Sequence, residues 1–157
     1  GSLYYGQAER SITKTGYPLE TEADRKKYGR VYNYSTAIDY APEGWRLPTR
    51  TEFVEMLISL GGPLFANDKI IEGGDANIEL NFPGYFEQSS GGDPAFRNVF
   101  TSQDQIGMYW LNDYSEYSGY AAFFDVGANY EQPGYDLIPT FFYSLSVRYV
   151  RNVEIDK

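Results

Sequence analysis

Along residues 141–149, Phe141, Tyr143, Leu145, Val147 and Tyr149 alternate with Phe142, Ser144, Ser146 and Arg148. A period of two puts one set on a buried sheet face and turns the other mostly toward solvent or a polar neighbour, which makes this the clearest strand. Further strands are expected at Gly29 to Thr36, at Ile106 to Asn112 and at Gly119 to Val126, with a turn from Asp113 to Ser118 between the last two. A helical period occurs once with full punctuation. Phe53, Met56, Leu57 and Leu60 recur at i, i+3, i+4 and i+7, and Thr49-Arg50-Thr51-Glu52 before them has the spacing of a capping box. Gly61-Gly62-Pro63 then provides the left-handed cap and the stop, so a helix is expected from Arg50 to Leu60. Beyond Pro63 periodicity fades. Gly73-Gly74-Asp75, Pro83-Gly84 and Ser89-Ser90-Gly91-Gly92-Asp93-Pro94 read as a long loop region broken by a short strand near Ile78 to Phe82. Long ordered loops in a compact domain usually hold function.

Composition adds two absences. The 157 residues include neither histidine nor cysteine, which removes Ser-His-Asp and Cys-His nucleophiles, zinc sites, haem ligation and iron–sulfur clusters. No transition metal is expected to be needed, since oxygen ligands suit calcium or magnesium. The length fits one domain with one core. A net charge of −9 argues against nucleic acid, because phosphate neutralisation needs clustered cations. The densest group, Arg25, Lys26, Lys27 and Arg30, sits beside Glu20, Glu22 and Asp24 and reads as a solvated mixed-charge turn. The longest uncharged stretch, Met56 to Asn67, is 12 residues, against the roughly 20 of a membrane helix, so no transmembrane segment is expected. No charged segment followed by an apolar run opens the chain; any leader is expected to have been removed. Absence of cysteine alone fits either a reducing cytosol or an exported bacterial protein. Sixteen Tyr and ten Phe with 16 Gly and 8 Pro point to a half-exposed, β-rich fold with long loops.

Three short blocks carry a resemblance: Gly29-Arg30-Val31-Tyr32-Asn33-Tyr34, Ala41-Pro42-Glu43-Gly44-Trp45-Arg46-Leu47-Pro48-Thr49-Arg50-Thr51-Glu52-Phe53, and Ser146-Val147-Arg148-Tyr149-Val150-Arg151. The chain resembles the Fibrobacter succinogenes major paralogous domain over residues 28–152, with residues 1–27 as an N-terminal extension. The central block is shared with sulfatase-modifying factor domains, and both groups are similar to the C-type-lectin fold. The resemblance implies an α+β, C-type-lectin-like domain with short strands, one main capped helix and long loops, whose N- and C-terminal strands pair. It also implies an exported or surface-anchored protein of a Bacteroidetes-like bacterium, with no activity established for the group. Trp45 and Leu47 would plug the core, Pro48 and Thr49 would set the helix start, and Arg46 would tie a loop carbonyl or carboxylate. Relatives often carry Cys at the positions of Ala41 and Tyr149. Their joint absence here predicts that the terminal strand lies beside the segment before the helix.

The enzymatic branches of that wider fold depend on cysteine with metal or on histidine ligands, and neither residue is present. Calcium-dependent sugar binding in C-type lectins uses a Glu-Pro-Asn or Gln-Pro-Asp loop followed by Trp-Asn-Asp. Here Trp110-Leu111-Asn112-Asp113 and Gln132-Pro133-Gly134 come close, but Leu111 breaks the first, Gly134 removes the carboxylate of the second, and their order is reversed. No cofactor is expected; calcium through Asn112, Asp113 and a loop acid stays open against their reading as turn residues. A carboxylate-only glycoside hydrolase is the remaining enzymatic alternative and requires two acids facing across a cleft.

The loop aromatics offer the sharper hypothesis. Tyr85, Phe86, Trp110, Tyr114, Tyr117, Tyr120, Tyr130 and Tyr135 fall in or beside loops that the fold would place on one side. They either wall a Tyr-rich core or form a stacking platform for a ligand. The expected ligand-binding set is Tyr85, Phe86, Trp110, Asn112, Asp113, Tyr114, Tyr117, Tyr130 and Tyr135, with contact from loops around Tyr85 to Asp93, Asp113 to Tyr117 and Gly127 to Tyr135. The first functional expectation is a non-catalytic, exported or cell-surface binding and adhesion module for a glycan or a surface protein. A structural subunit of a surface appendage is the alternative.

Overall fold

The structure is a computed structural model, and it describes residues 3–5, 17–18, 30–39, 41–71, 73–74, 78–87, 99–102, 104–115 and 118–152. Tyr117, the basic group at 25–27 and the turns at 88–98 lie outside the described residues. The fold is mixed, antiparallel strands with few helices. In chain order the described elements are β1 (Leu3–Tyr5), β2 (Tyr17–Pro18), β3 (Arg30–Val31), α1 (Tyr34–Asp39), α2 (Arg50–Ser59) and α3 (Pro63–Ile70). There follow β4 (Tyr85–Glu87), β5 (Val99–Thr101), β6 (Ile106–Ser115), β7 (Tyr120–Gly127), β8 (Gly134–Pro139), β9 (Tyr143–Ser144) and β10 (Val150–Asn152).

The β6-β7-β8 sheet is the centre, and both of its faces are covered. Met108, Trp110, Ala121 and Phe123 on one face pack with Tyr32, Tyr34, Ala37, Leu47, Leu145, Val147 and Tyr149. Tyr109, Leu111, Ala122, Phe124 and Val126 on the other pack with Phe53 and Leu57 of α2 and Ala66 and Ile70 of α3. Burial on two sides explains why β6 and β7 read as nearly continuous apolar runs rather than alternations. On the outer edge of β8 the Leu137 N–H donates to the Asp136 carboxylate (2.8 Å), and Pro139 two residues on has no N–H. Both features blunt an exposed edge against strand addition.

α2 forms as its punctuation predicts. Glu52 N–H donates to the Thr49 hydroxyl (3.2 Å), Thr49 N–H donates to Glu52 Oε1 (2.9 Å), and Gly61 and Gly62 turn the chain at φ 100° and 101°. β1 pairs with β10, and Arg46 and Val150 exchange backbone hydrogen bonds of 2.9 and 2.7 Å. The terminal segment therefore runs beside the segment before α2, as the paired loss of cysteine predicted. Ala41 packs against the cluster containing Tyr149, whose hydroxyl donates to the Ala37 carbonyl (2.6 Å).

Four expectations are corrected. The strand expected at 29–36 stops at Val31, because Asn33 caps a helix instead: its Oδ1 accepts from Thr36 N–H at 2.9 Å. Pro63, expected to open a loop region, is the first residue of α3, where its missing N–H costs nothing. The segment 78–82 contributes only a single bridge, Ile71 to Leu80. Finally, the alternation at 141–149 is not a half-exposed strand. Ser144 through Val150 are all buried, the chain there lying between β6 and the start of the fold, while Phe141 is 78% exposed.

Candidate functional site

α1 and the 140–144 turn approach the distal end of β6 and leave an open cleft of about 450 Å3. The α1 side contributes Asn33, Tyr34, Ser35, Ile38 and Asp39; the opposite wall is Thr140, Phe141, Tyr143 and Ser144, and Tyr114 stands at the end of β6. That volume lies within the ~300–1,000 Å3 of small-ligand sites. Local chemistry fixes each wall. Asn33 Oδ1 accepts from Thr36 N–H and from the Ser35 hydroxyl (3.1 Å), leaving its Nδ2 as a donor. Thr140 donates twice to the Gly119 carbonyl, from N–H (3.0 Å) and from Oγ1 (3.1 Å), which ties the Phe141 turn to the β6–β7 turn. Gly119, at φ 70°, lies close under the Phe141 ring: a Cβ there would be 3.4 Å from Cε2.

Tyr34 joins cleft and core. Its ring stacks on Tyr114 (centroids 5.2 Å, 22°) and meets Trp110 edge-on (5.4 Å, 72°). Burial, helped by the negative charge of Asp113 and by Tyr114, pushes its hydroxyl up to about 12, so it stays a neutral donor. Tyr143 is also raised, by burial first and then by Glu87 and Tyr85.

Of the eight expected site residues that the structure describes, Tyr114 alone lines this cleft, and it is 46% exposed. Tyr85 sits behind it, tilted against Tyr143 at 6.0 Å. Trp110 and Phe86 are corrected to core: Trp110 is fully buried with Nε1 donating to the Tyr32 carbonyl (2.7 Å), and Phe86 is buried in β4. Asn112 and Asp113 are exposed but engaged. A register shift in β6 between Trp110 and Tyr114 re-aims the chain, Asn112 N–H donates to the Pro48 carbonyl (2.8 Å), and Asp113 Oδ2 accepts from Arg50 N–H (2.6 Å) at the start of α2. Asp113 is thus a second N-terminal cap of that helix. Tyr130 locks a turn, its hydroxyl donating to Asp125 Oδ2 (2.7 Å) while its ring occupies the space a side chain at Gly127 would need. Tyr135 belongs to β8, not to a loop, and lies under the Arg50 guanidinium (4.1 Å). Paired with Phe124, it faces the opposite side of the central sheet from Tyr114, which pairs with Ala121. The expected aromatics are therefore not one platform.

The cleft residues Asn33, Ser35, Asp39 and Phe141 escaped the sequence reading. The available signal was the Asn-Tyr-Ser-Thr cap at 33–36, masked by the strand-like run before it. As for carboxylate chemistry, Asp125 is held above the usual range by burial, against the opposing hydrogen bond from Tyr130, with Asp136 adding a smaller repulsion. Neither acid lines the cleft. Among the described residues no three acids gather into a cation site.

Arg46 holds Glu52 through two short bonds (2.5 and 2.6 Å) and also reaches Asn152 Oδ1 (3.1 Å), joining α2 to β10. These bonds keep the Glu52 carboxyl below its ordinary 4.5. A depressed carboxylate contributes stability that is complete above about pH 4.5 and is lost as pH falls through the lowered folded value. Glu52→Gln should therefore cost about 1 kcal/mol at neutral pH, a figure discounted for solvent screening of a partly exposed pair. Urea titrations at a series of pH values should show the variant and the parent converging below pH 4.5.

The chain matches no protein-family model, no curated protein and no solved structure. The described helices include none long and apolar enough to cross a membrane.

Proposed function

We propose that the chain is a non-catalytic binding and adhesion module, exported or displayed on a bacterial surface, of C-type-lectin-like fold, and that it recognises glycan through the cleft between α1 and the 140–144 turn. The observation that carries this reading is the joint presence of an exposed Phe141 ring, a half-exposed Tyr114 ring and convergent Asn33, Ser35 and Asp39 in one concave site. Flat rings with polar groups at their edge match a sugar, which offers an apolar C–H face bounded by hydroxyls. The C-type-lectin-like assignment is supported by the Gly44-Trp45-Arg46-Leu47-Pro48-Thr49 block leading into a capped helix and by the pairing of the first and last strands.

A glycan-array screen of the purified chain, followed by titration of the best hit, tests the reading. Phe141→Ala should weaken that hit roughly 30-fold, as truncating an anchor of about 2 kcal/mol does, with the thermal midpoint unchanged because the ring is already in solvent. Absence of any glycan hit, or full binding by the variant, would overturn it. One observation favours the structural-subunit alternative: Ile58, Leu64 and Phe65 are each more than 60% exposed where α2 meets α3, an apolar tip suited to a neighbouring protein.

A further inference from the structure

The cleft has a charge character that goes beyond its fit to sugar. Asp39 lines it with an exposed carboxylate, and among the described residues no lysine or arginine lines it. Two further carboxylates act on its tyrosines: Asp113 on Tyr34 and Glu87 on Tyr143. Asp113 is already spent on the α2 backbone, and Arg50, whose N–H it accepts, carries its guanidinium over Tyr135 on the far side of the sheet. Resting on the glycan reading above, we infer that the cleft selects an uncharged saccharide residue and rejects sugars bearing carboxylate or sulfate.

The residues divide the work. Phe141 offers its ring to the C–H face of the sugar, Asp39 accepts from two hydroxyls of one residue, and Asn33 Nδ2 donates to a ring or hydroxyl oxygen. A carboxylated sugar would lose twice. Its anion would meet Asp39 with no cation among the described lining residues to pair it, and it would shed water into a site whose strongest acceptor has the same sign. The opposite arrangement, an arginine or lysine beside a ring, is what recognition of acidic sugars needs.

Matched pairs test this. The chain is screened against neutral hexose- and N-acetylhexosamine-terminated glycans and against the same glycans ending in uronic acid, sialic acid or sulfate. The best neutral hit and its uronic-acid analogue are then titrated in low and high salt. The neutral ligand should bind at least about tenfold more tightly in low salt, and the gap should shrink as salt screens the carboxylates. Asp39→Asn, an exposed change that leaves the core untouched, should also narrow the gap by admitting the acidic analogue. Equal or tighter binding of the acidic analogue overturns the charge selection while the glycan-binding reading survives. An unchanged gap in Asp39→Asn likewise overturns the charge selection, because Asp39 is the carboxylate in the cleft lining. Failure to bind any glycan, neutral or acidic, overturns the binding reading and this inference with it.

Discussion

Trp110→Ala should destabilise the domain by about 3–5 kcal/mol, the range for emptying a buried large aromatic site. Against the 5–15 kcal/mol that typically holds a domain together, that loss brings the folded state close to its limit. The physical reason is position. Trp110 is fully buried at the middle of β6, edge-on to Tyr34 and bonded through Nε1 to the Tyr32 carbonyl, so it joins the central sheet to the chain entering α1. That carbonyl also accepts from Leu145 N–H (2.9 Å), so it is not orphaned by truncation and most of the cost is the cavity. Trp110→Phe, which keeps most of the volume and loses the indole bond, should cost only about 1–2 kcal/mol. Denaturant midpoints followed by circular dichroism separate the two variants. A Trp110→Ala protein as stable as its parent would show that the indole is not in the core.

Trp110 also marks where sequence reading reached its limit. The run Tyr109-Trp110-Leu111-Asn112 was legible as a strand, but β6 runs on to Ser115, through Asp113 and Tyr114, where the polar residues pointed to a turn. What was not legible is the register shift between Trp110 and Tyr114. Before it, Trp110 faces the core; after it, Asp113 caps α2 and Tyr114 enters the cleft. A bulge is fixed by the partner strand and by what waits at the far side, here the N-terminus of α2, so three neighbouring residues with similar ligand-binding credentials took three different jobs. α2 stood at the other extreme. Its capping box, apolar stripe and Gly-Gly-Pro stop are all local, and the helix begins at Arg50 and ends within one residue of expectation.

The cleft was hidden for a related reason. Phe141 shares the parity of Tyr143, Leu145, Val147 and Tyr149, and alternation alone assigns it to the core. Its exposure follows from Thr140, whose two bonds to the Gly119 carbonyl hold the turn at the mouth of β7 before the buried segment begins. Those partners are 21 residues apart, beyond the reach of any periodicity. Ser144, Ser146 and Arg148 failed the same pattern from the other side, being buried because chain covers both faces of that segment; the Arg148 guanidinium donates to the Ile78 carbonyl.

Asn67 should behave as a second keystone, although it drew no notice in a segment expected to be loop. It is 1% exposed on α3, its Nδ2 donates to the Gly127 carbonyl (3.1 Å), and its Oδ1 accepts from Gly127 N–H (3.4 Å) at the end of β7. One amide side chain thus meets both polar groups of a strand-end residue across 60 positions of sequence and fastens the helical layer to the sheet. Asn67→Leu, similar in volume, removes both bonds; since the Gly127 carbonyl keeps Tyr130 N–H (3.3 Å), the loss should be about 2–3 kcal/mol, chiefly from the abandoned N–H. Asn67→Asp provides the diagnostic. It retains an acceptor for Gly127 N–H but sets a buried carboxylate against the Gly127 carbonyl, so its folded-state proton affinity must rise above the ordinary value of about 3.9. A raised carboxyl makes the folded state hold more protons than the unfolded one, and stability relative to the parent falls as pH climbs through that window. Chemical denaturation should therefore find Asn67→Asp weaker than the parent at pH 7 by more than at pH 4, where the protonated acid can donate to the carbonyl as the amide did. A deficit that is the same at both pH values would mean that the side chain at 67 is solvated and does not bridge the layers.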